Sequence, residues 1–246
     1  MTIENYLQKT ILMDLWGVAL DQEKAGKVMV DAYRLQAHTN NIPQETIEET
    51  IQDYQLVLKN DKSVADRKGE IVDTLQELAE EYIEKADDPR IRQDLEDSLY
   101  QDFINVTEHA QEEGYNIAIF TTRKAEWIRD YIDNLGTIYD AQDGKTVDRI
   151  EEIITQEEAD GKTVVSFTED ADKALKAAKD TDIPNLIYLN RGDNGMTREE
   201  CEEQGIIYAE TLDDVYESLV DNYTEEFESS ESHSEINQEA EAAENE

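Results

Sequence analysis

Short apolar runs separated by helical patterns recur along the chain, and this alternation predicts an α/β fold. The first run, residues 11–13, leads into Asp14 and then Gly17, as expected of a buried strand that opens onto a turn. Further apolar runs predict strands at residues 115–120, 163–168, 186–189 and 206–208. Because helical patterns separate these strands, we expect a mainly parallel, Rossmann-like sheet whose carboxyl edge carries the site.

A long helical stretch interrupts the strand pattern between residues 21 and 111. Its apolar residues recur three and four positions apart, as at Ile47, Ile51 and Tyr54. Pro89, after two aspartates, suits the first turn of a new helix. We therefore expect an α/β core at residues 1–20 and 112–222, a helical cap at 21–111 and a disordered acidic tail at 223–246.

Acidic residues dominate the composition, because 61 Asp and Glu stand against 22 Lys and Arg, a formal net charge of −39. The tail holds only part of this negative charge. The rest lies on the part of the chain that we expect to fold, where the like charges repel one another. The Debye length falls to about 3 Å at about 1 M salt, so such a surface suits a cytoplasm rich in salt, that of a halophile. Without basic clusters, neither a nucleic acid nor a membrane surface is an expected partner.

Cysteine usage and apolar runs narrow the class of protein further. Cys201 is the only cysteine, which excludes disulfides within the chain and thiolate metal clusters. The sequence has neither an apolar run of membrane-spanning length nor a basic segment followed by an apolar one at its start. These features lead us to expect a cytoplasmic protein.

Reactive side chains follow three of the predicted strands. In chain order they are Asp14, the pair Thr121 and Thr122, Lys145, and the pair Glu169 and Asp170. A carboxylate can form a covalent intermediate with phosphorus or carbon. Two carboxylates in one site favour a hard cation such as Mg²⁺, which also neutralises phosphate. A lysine would hold the charges of nucleophile and phosphate, and a threonine hydroxyl would orient phosphoryl oxygens.

Four segments resemble the motifs of the haloacid dehalogenase (HAD) superfamily. They are ILMDLWGVAL at residues 11–20, NIAIFTT at 116–122, Lys145 in DGKT, and VVSFTEDADKALKAAK at 164–179. Within the superfamily, the segments TEDADKALKAAK, NRGDN at 190–194 and YAETLDDV at 208–215 are most similar to the enolase-phosphatases (acireductone synthases). The resemblance extends over residues 10–220. It implies a HAD-like core with a helical cap that closes over the site.

The resemblance also implies roles for individual residues. Asp14 matches the nucleophile and a Mg²⁺ ligand, and Asp170 matches the second metal carboxylate. The backbone carbonyl of Trp16 would be the remaining protein ligand. The other implied roles are phosphate binding by Thr121 and charge stabilisation by Lys145. We also expect Thr122 and Arg123 to bind substrate, although Arg123 departs from the family pattern, in which a glycine often follows the hydroxyls. The function implied is that of a Mg²⁺-dependent phosphatase, which hydrolyses a small phosphorylated metabolite through an aspartyl phosphate.

Trp16 departs from the phosphatase pattern, which has a carboxylic acid two residues after the nucleophile. Loss of a general acid typically costs about 10²–10⁴-fold in rate. Haloacid dehalogenases have an aromatic residue there and need no metal, so a dehalogenase-like hydrolase is one alternative. A catalytically inactive relative that binds a phosphorylated ligand or a protein is another.

Several assignments remain open at the level of single residues. Lys162, in a second DGKT turn, competes with Lys145 for the role of the motif lysine. Glu169 and Asp172 compete with Asp170 as the metal carboxylate. The two threonine hydroxyls would also suit the cap of a helix that begins near Lys124.

Overall fold

The computed structural model describes residues 8–59, 61–122, 126–130, 135–141, 144–192 and 195–219. In this part of the chain one sheet contains β1 (Gln8–Met13), β2 (Asn116–Thr121), β3 (Ile138–Asp140), β4 (Lys162–Glu169), β5 (Asn185–Leu189) and β6 (Ile207–Ala209). The strand order is β3-β2-β1-β4-β5-β6, and every neighbouring pair is parallel. The predicted α/β fold is confirmed, although the apolar pattern did not predict β3.

Helices fill the connections between the strands. Between β1 and β2 lie α1 (Gln22–Thr39), α2 (Gln44–Leu58), α3 (Lys68–Ala86), α4 (Pro89–Glu96) and α5 (Gln101–Glu112). The later helices are α6 (Val147–Ala159), α7 (Asp172–Ala178), α8 (Arg198–Gln204) and α9, at residues 212–219, with 3-10 turns at Lys62–Arg67 and Glu126–Asp130. The helical insertion between the first two long strands is confirmed, whereas its exact limits stay a prediction. The predicted tail at 223–246 lies outside the described residues.

Local sequence explains where the insertion helices begin. The carboxylate of Asp21 accepts hydrogen bonds from the backbone N–H groups of Glu23 and Lys24, which caps α1. Asp88 caps α4 in the same way, and Pro89 occupies the first helical turn, as the sequence predicts. No helix in the described part of the chain is long and apolar enough to cross a membrane.

The sheet has a hydrophobic core on each face. Ile11 and Met13 belong to one core, together with the insertion helices and α9. Leu12 belongs to the other, where it is grouped with Phe120 and Phe167. Successive residues of a strand point to opposite faces, so a strand that is covered on both sides must be apolar throughout. β1 is such a strand, and Asp14 emerges where it ends, at the centre of the carboxyl edge.

The two ends of the helical insertion lie side by side. Leu20 and Leu99 form an antiparallel bridge. The N–H of Asp21 donates to the carbonyl of Ser98 over 2.9 Å, and the N–H of Tyr100 donates to that of Ala19 over 3.0 Å. The chain therefore enters and leaves the insertion through two segments that are hydrogen-bonded to each other, residues 19–21 and 98–100. The first of these segments lies a few residues after Asp14.

Arg191, which follows β5, links the core to the junction formed by the paired segments at residues 19–21 and 98–100. Its guanidinium forms a two-pronged ion pair with Asp102 of α5, with N–O distances of 2.6 and 3.0 Å. The same group donates to the carbonyl of Val18 over 2.8 Å and stacks on the ring of Tyr100, 3.9 Å from the ring centre. Asp102 also accepts from the N–H of Leu212 at the start of α9. The Arg191 side chain thus links the segment after β5 to the loop after β1 and to the start of α5.

Candidate active site

Asp14 and Glu169 meet at the carboxyl edge because β1 and β4 are adjacent parallel strands. Asp14 directly follows β1, and its N–H donates to the carbonyl of Thr168 over 3.0 Å. Glu169 is the last residue of β4 and is fully buried. This pairing extends the ladder to the first residue beyond β1, so the position of the Asp14 backbone is fixed by the sheet.

Lys145 lies between these two carboxylates. Its ammonium nitrogen is 2.6 Å from Oδ1 of Asp14 and 2.5 Å from Oε2 of Glu169. The rings of Phe120 and Phe167 flank the ammonium, with centres at 5.6 and 5.8 Å. A lysine this deeply buried requires paired carboxylates, and here it has two of them. The lysine predicted to serve the site is therefore in contact with the predicted nucleophile.

Asp170 completes an acidic triad with Asp14 and Glu169. One oxygen from each of the three carboxylates lies within 4.8 Å of the other two. Gln22, the first residue of α1, donates from Nε2 to Oδ2 of Asp170 over 3.0 Å. Gly17 makes room for this carboxylate, because a Cβ there would lie 1.9 Å from Oδ2 of Asp170. Its φ of +82° also favours glycine.

The site contains three carboxylates and one ammonium. Burial and this excess of negative charge shift the pKa values of Asp14, Glu169 and Lys145. Burial, and then repulsion from Glu169, raises the pKa of Asp14 to about 7. Burial also raises the pKa of Glu169 to about 7. For Lys145, burial alone would lower the pKa, but attraction to Asp14 and Glu169 outweighs burial and raises it. The lysine therefore stays charged, while the carboxylates need further positive charge to ionise fully.

The triad is chemically suited to a hard divalent cation. Mg²⁺ prefers carboxylate and carbonyl oxygen atoms and is usually held by one or two carboxylates. Asp14 and Asp170 provide such oxygens, since Glu169 is already engaged by Lys145 and by the N–H groups of Asp170 and Ala171. The donor set therefore fits Mg²⁺, which would supply the missing positive charge.

The two threonines at the end of β2 differ in their surroundings. Thr121 is fully buried, and its hydroxyl makes no hydrogen bond with any described residue. This hydroxyl therefore has hydrogen-bonding capacity to spare, although Thr121 is not among the described residues that line the cleft. Thr122 is exposed and lines the cleft above the triad. Arg123 and the helix start near Lys124 lie outside the described residues.

Comparison with solved structures identifies the fold. The putative HAD-hydrolase YfnB from Bacillus subtilis, bound to magnesium, matches with a TM-score of 0.53 at 15% identity, over 86% of this chain and 98% of its own. A 2-haloacid dehalogenase from Pseudomonas syringae matches with a TM-score of 0.53 at 15% identity, over 88% and 99%. A HAD phosphatase from Thermococcus onnurineus gives 0.53 at 16% identity, over 86% and 98%. This chain has the HAD-like fold. No protein-family model and no curated protein sequence matches it.

Within the HAD-like fold, the competing residues occupy different places. Lys162 begins β4, at the opposite edge of the sheet, where its ammonium is 3.8 Å from the buried Glu157. Asp172 is exposed on α7 and pairs with Lys176 over 2.8 Å. Neither residue is among those that line the cleft at the triad. The fold thus brings Lys145 rather than Lys162 to Asp14.

A cleft of about 360 Å³ opens onto the triad between the HAD-like core and the insertion. Trp16, Thr122 and Lys173 line it from the core, and Gln22 and Leu58 line it from α1 and α2. Neither Gln22 nor Leu58 is predicted from the sequence. Gln22 carries a usable signal, since it directly follows the helix-capping Asp21. Leu58 carries none, because it looks like any other apolar residue of an amphipathic helix.

Proposed function

We propose that this chain is a Mg²⁺-dependent hydrolase of small organic phosphates that works through an aspartyl phosphate on Asp14. The observation that carries the proposal is the acidic triad with Lys145 inserted between Asp14 and Glu169. A carboxylate that is buried, held by a lysine and placed at the open edge of a sheet is arranged to act as a nucleophile. The HAD-like fold is consistent with this role.

In this proposal the residues of the chain divide the work. Lys145 holds Asp14 in place and faces the phosphoryl oxygens with a fixed positive charge. The hydroxyl of Thr121 donates to a phosphoryl oxygen, which satisfies its missing hydrogen bond. Asp14, Asp170 and the carbonyl of Trp16 hold the Mg²⁺ ion. When bound, the ion neutralises charge on the phosphate and on the carboxylates.

Glu169 has a different role from Asp170 in this proposal. Glu169 accepts from Lys145 and from two backbone N–H groups, so its oxygens are occupied within the protein. Asp170 receives one hydrogen bond from Gln22, which leaves an oxygen for the ion. Glu169 therefore orients the lysine, and Asp170 is the second carboxylate ligand of the metal.

The enolase-phosphatase resemblance stays a prediction, because none of the three solved structures compared above is an enolase-phosphatase. One of them is a HAD phosphatase and another is bound to magnesium, in agreement with the proposed chemistry. A dehalogenase-like activity is the second candidate. Trp16 at the cleft favours it, since halide leaves without a proton, and the compared structures include a 2-haloacid dehalogenase. The three carboxylates argue against it, because this reaction has no need of a cation.

Metal dependence tests the proposal and separates the two candidates. We expect an aryl phosphate to be hydrolysed in molar KCl with Mg²⁺, and turnover to stop when EDTA removes the ion. Asp170→Asn removes a proposed carboxylate ligand and should lower turnover at limiting Mg²⁺ by more than about 10–100-fold, which is the cost of losing a group that only supports a ligand. The matched control Asp172→Asn should stay within about two-fold of the wild type, because Asp172 pairs with Lys176 at the surface.

Two other outcomes would contradict the proposal in different ways. Release of halide from a 2-haloacid, with no need for metal, would identify the dehalogenase-like alternative. If a folded protein bound Mg²⁺ but hydrolysed neither kind of substrate, the chain would be a catalytically inactive relative.

A further inference from the structure

Among the described residues that line the cleft, none offers a leaving oxygen a carboxylic acid that is free of other partners. Trp16 stands at the cleft, and its indole has a single weak donor and no acidic proton. Gln22, Leu58 and Ala174 contribute an amide and apolar groups, none of which can protonate a leaving group. A cleft with this lining stabilises a phosphoryl group better than it assists the departure of an alcohol.

The carboxylates at the cleft are already engaged by other groups. Asp14 and Glu169 contact Lys145, and Asp170 accepts from Gln22. Lys145 is held between its two partners. Lys173 is exposed at the rim of the cleft, on the first turn of α7. Among the described cleft residues, only the ammonium of Lys173 and the weakly acidic hydroxyl of Thr122 then remain as proton donors, and both are exposed to solvent.

The leaving group decides whether the reaction needs a proton donor. An oxygen of Asp14 attacks phosphorus, the bond from phosphorus to the leaving oxygen breaks, and the electron pair departs with that oxygen. A carboxylate or phenolate accepts this pair readily, since the conjugate acids have pKa values of about 4 and about 10. An alkoxide is a far stronger base and needs a proton as it leaves. Water then attacks the aspartyl phosphate, its proton passes to solvent, and the carboxylate of Asp14 is restored.

We infer that the substrates of this site are small acyl or aryl phosphates, and that alkyl phosphates are poor substrates. This inference rests on the proposed function and adds the class of leaving group. Its basis is that Trp16 lines the cleft while the three carboxylates there are all engaged by other groups.

The dependence of rate on the leaving group tests the inference. Values of kcat/KM are measured for a series of substituted phenyl phosphates and for glycerol phosphate, in molar KCl with Mg²⁺. We expect kcat/KM to rise steeply as the phenol becomes more acidic, and glycerol phosphate to be slower by at least about 10³-fold, since a general acid is worth about 10²–10⁴. Trp16→Asp supplies an acid and should raise turnover of glycerol phosphate by about 10²-fold and flatten the series. Trp16→Phe is the control and should keep the steep dependence.

The contrary outcomes are distinguishable. Hydrolysis of glycerol phosphate by the wild type within about ten-fold of phenyl phosphate would overturn the inference and leave the proposed function intact. If Lys173→Ala then removed that activity, Lys173 would be the proton donor. Failure to hydrolyse any phosphate would overturn the proposed function itself, and this substrate class with it.

Discussion

Asp14→Asn should lower phosphate hydrolysis by at least about 10⁴-fold, because an amide cannot replace a carboxylate as the nucleophile. The change keeps the size of the side chain, so the cleft should keep its shape. The measurement is single-turnover hydrolysis of an aryl phosphate in molar KCl with Mg²⁺. Retention of the wild-type rate would show that Asp14 is not the nucleophile, and Glu169 would then be the carboxylate to examine.

The stability of Asp14→Asn provides the control for this result. Burial and Glu169 raise the pKa of Asp14 to about 7 in the folded protein, above its ordinary value of 3.8. A raised pKa means that the folded state favours the neutral carboxyl group, and this contribution is lost as the pH rises through 7. At pH 8 without Mg²⁺, the neutral amide should therefore make the variant at least as resistant to urea as the wild type.

Arg191→Ala should destabilise the protein by about 3 kcal/mol, since it leaves Asp102 as a poorly solvated, unpaired charge beside the insertion. It also removes the hydrogen bond to Val18, in the loop that carries Trp16. The free energy of unfolding is measured by urea denaturation in molar KCl. Turnover should fall as well, because the loop after Asp14 loses its link to the core.

Arg198→Ala is the matched control for Arg191. Its guanidinium stacks on Tyr208 and is 3.7 Å from Glu210, but the side chain is more than half exposed. Exposed ion pairs of this kind contribute about 0–1 kcal/mol, so we expect a small loss of stability and normal turnover. Equal losses in the two variants would contradict the proposed role of Arg191 at the junction.

The sheet was predictable from sequence because both faces of its central strands are covered. Burial on two sides produces the apolar runs at Ile11 and Ile117, and each ends in a polar residue at the carboxyl edge. At that edge Asp14 and Glu169 lie near each other, because β1 and β4 are adjacent parallel strands. β3 has three residues and one of them is exposed, so it leaves too short an apolar signal to be recognised.

The lysine of the site could not be settled from sequence, because two identical DGKT turns contain Lys145 and Lys162. Position in the fold separates them: the first turn precedes α6 at the carboxyl edge, while the second opens β4 at the other edge. Gln22 and Leu58 were missed for a related reason. Both reach the cleft because the insertion folds back over the core. The cap at Asp21 marks the start of the helix that carries Gln22, but no local pattern indicates that either side chain faces the cleft. The preference for a salt-rich cytoplasm rests on charge alone and stays a prediction.

The most direct test of an aspartyl phosphate at Asp14 is the intact mass of the protein after brief reaction with acetyl phosphate. The reaction is run in molar KCl with Mg²⁺ and stopped with acid, which preserves acyl phosphates, and the modified peptide is then sequenced by mass spectrometry. We expect one added phosphoryl group in the wild type, on the peptide that contains Asp14, and none in Asp14→Asn. An adduct on another residue, or the same adduct in Asp14→Asn, would contradict the assignment of Asp14 as the nucleophile.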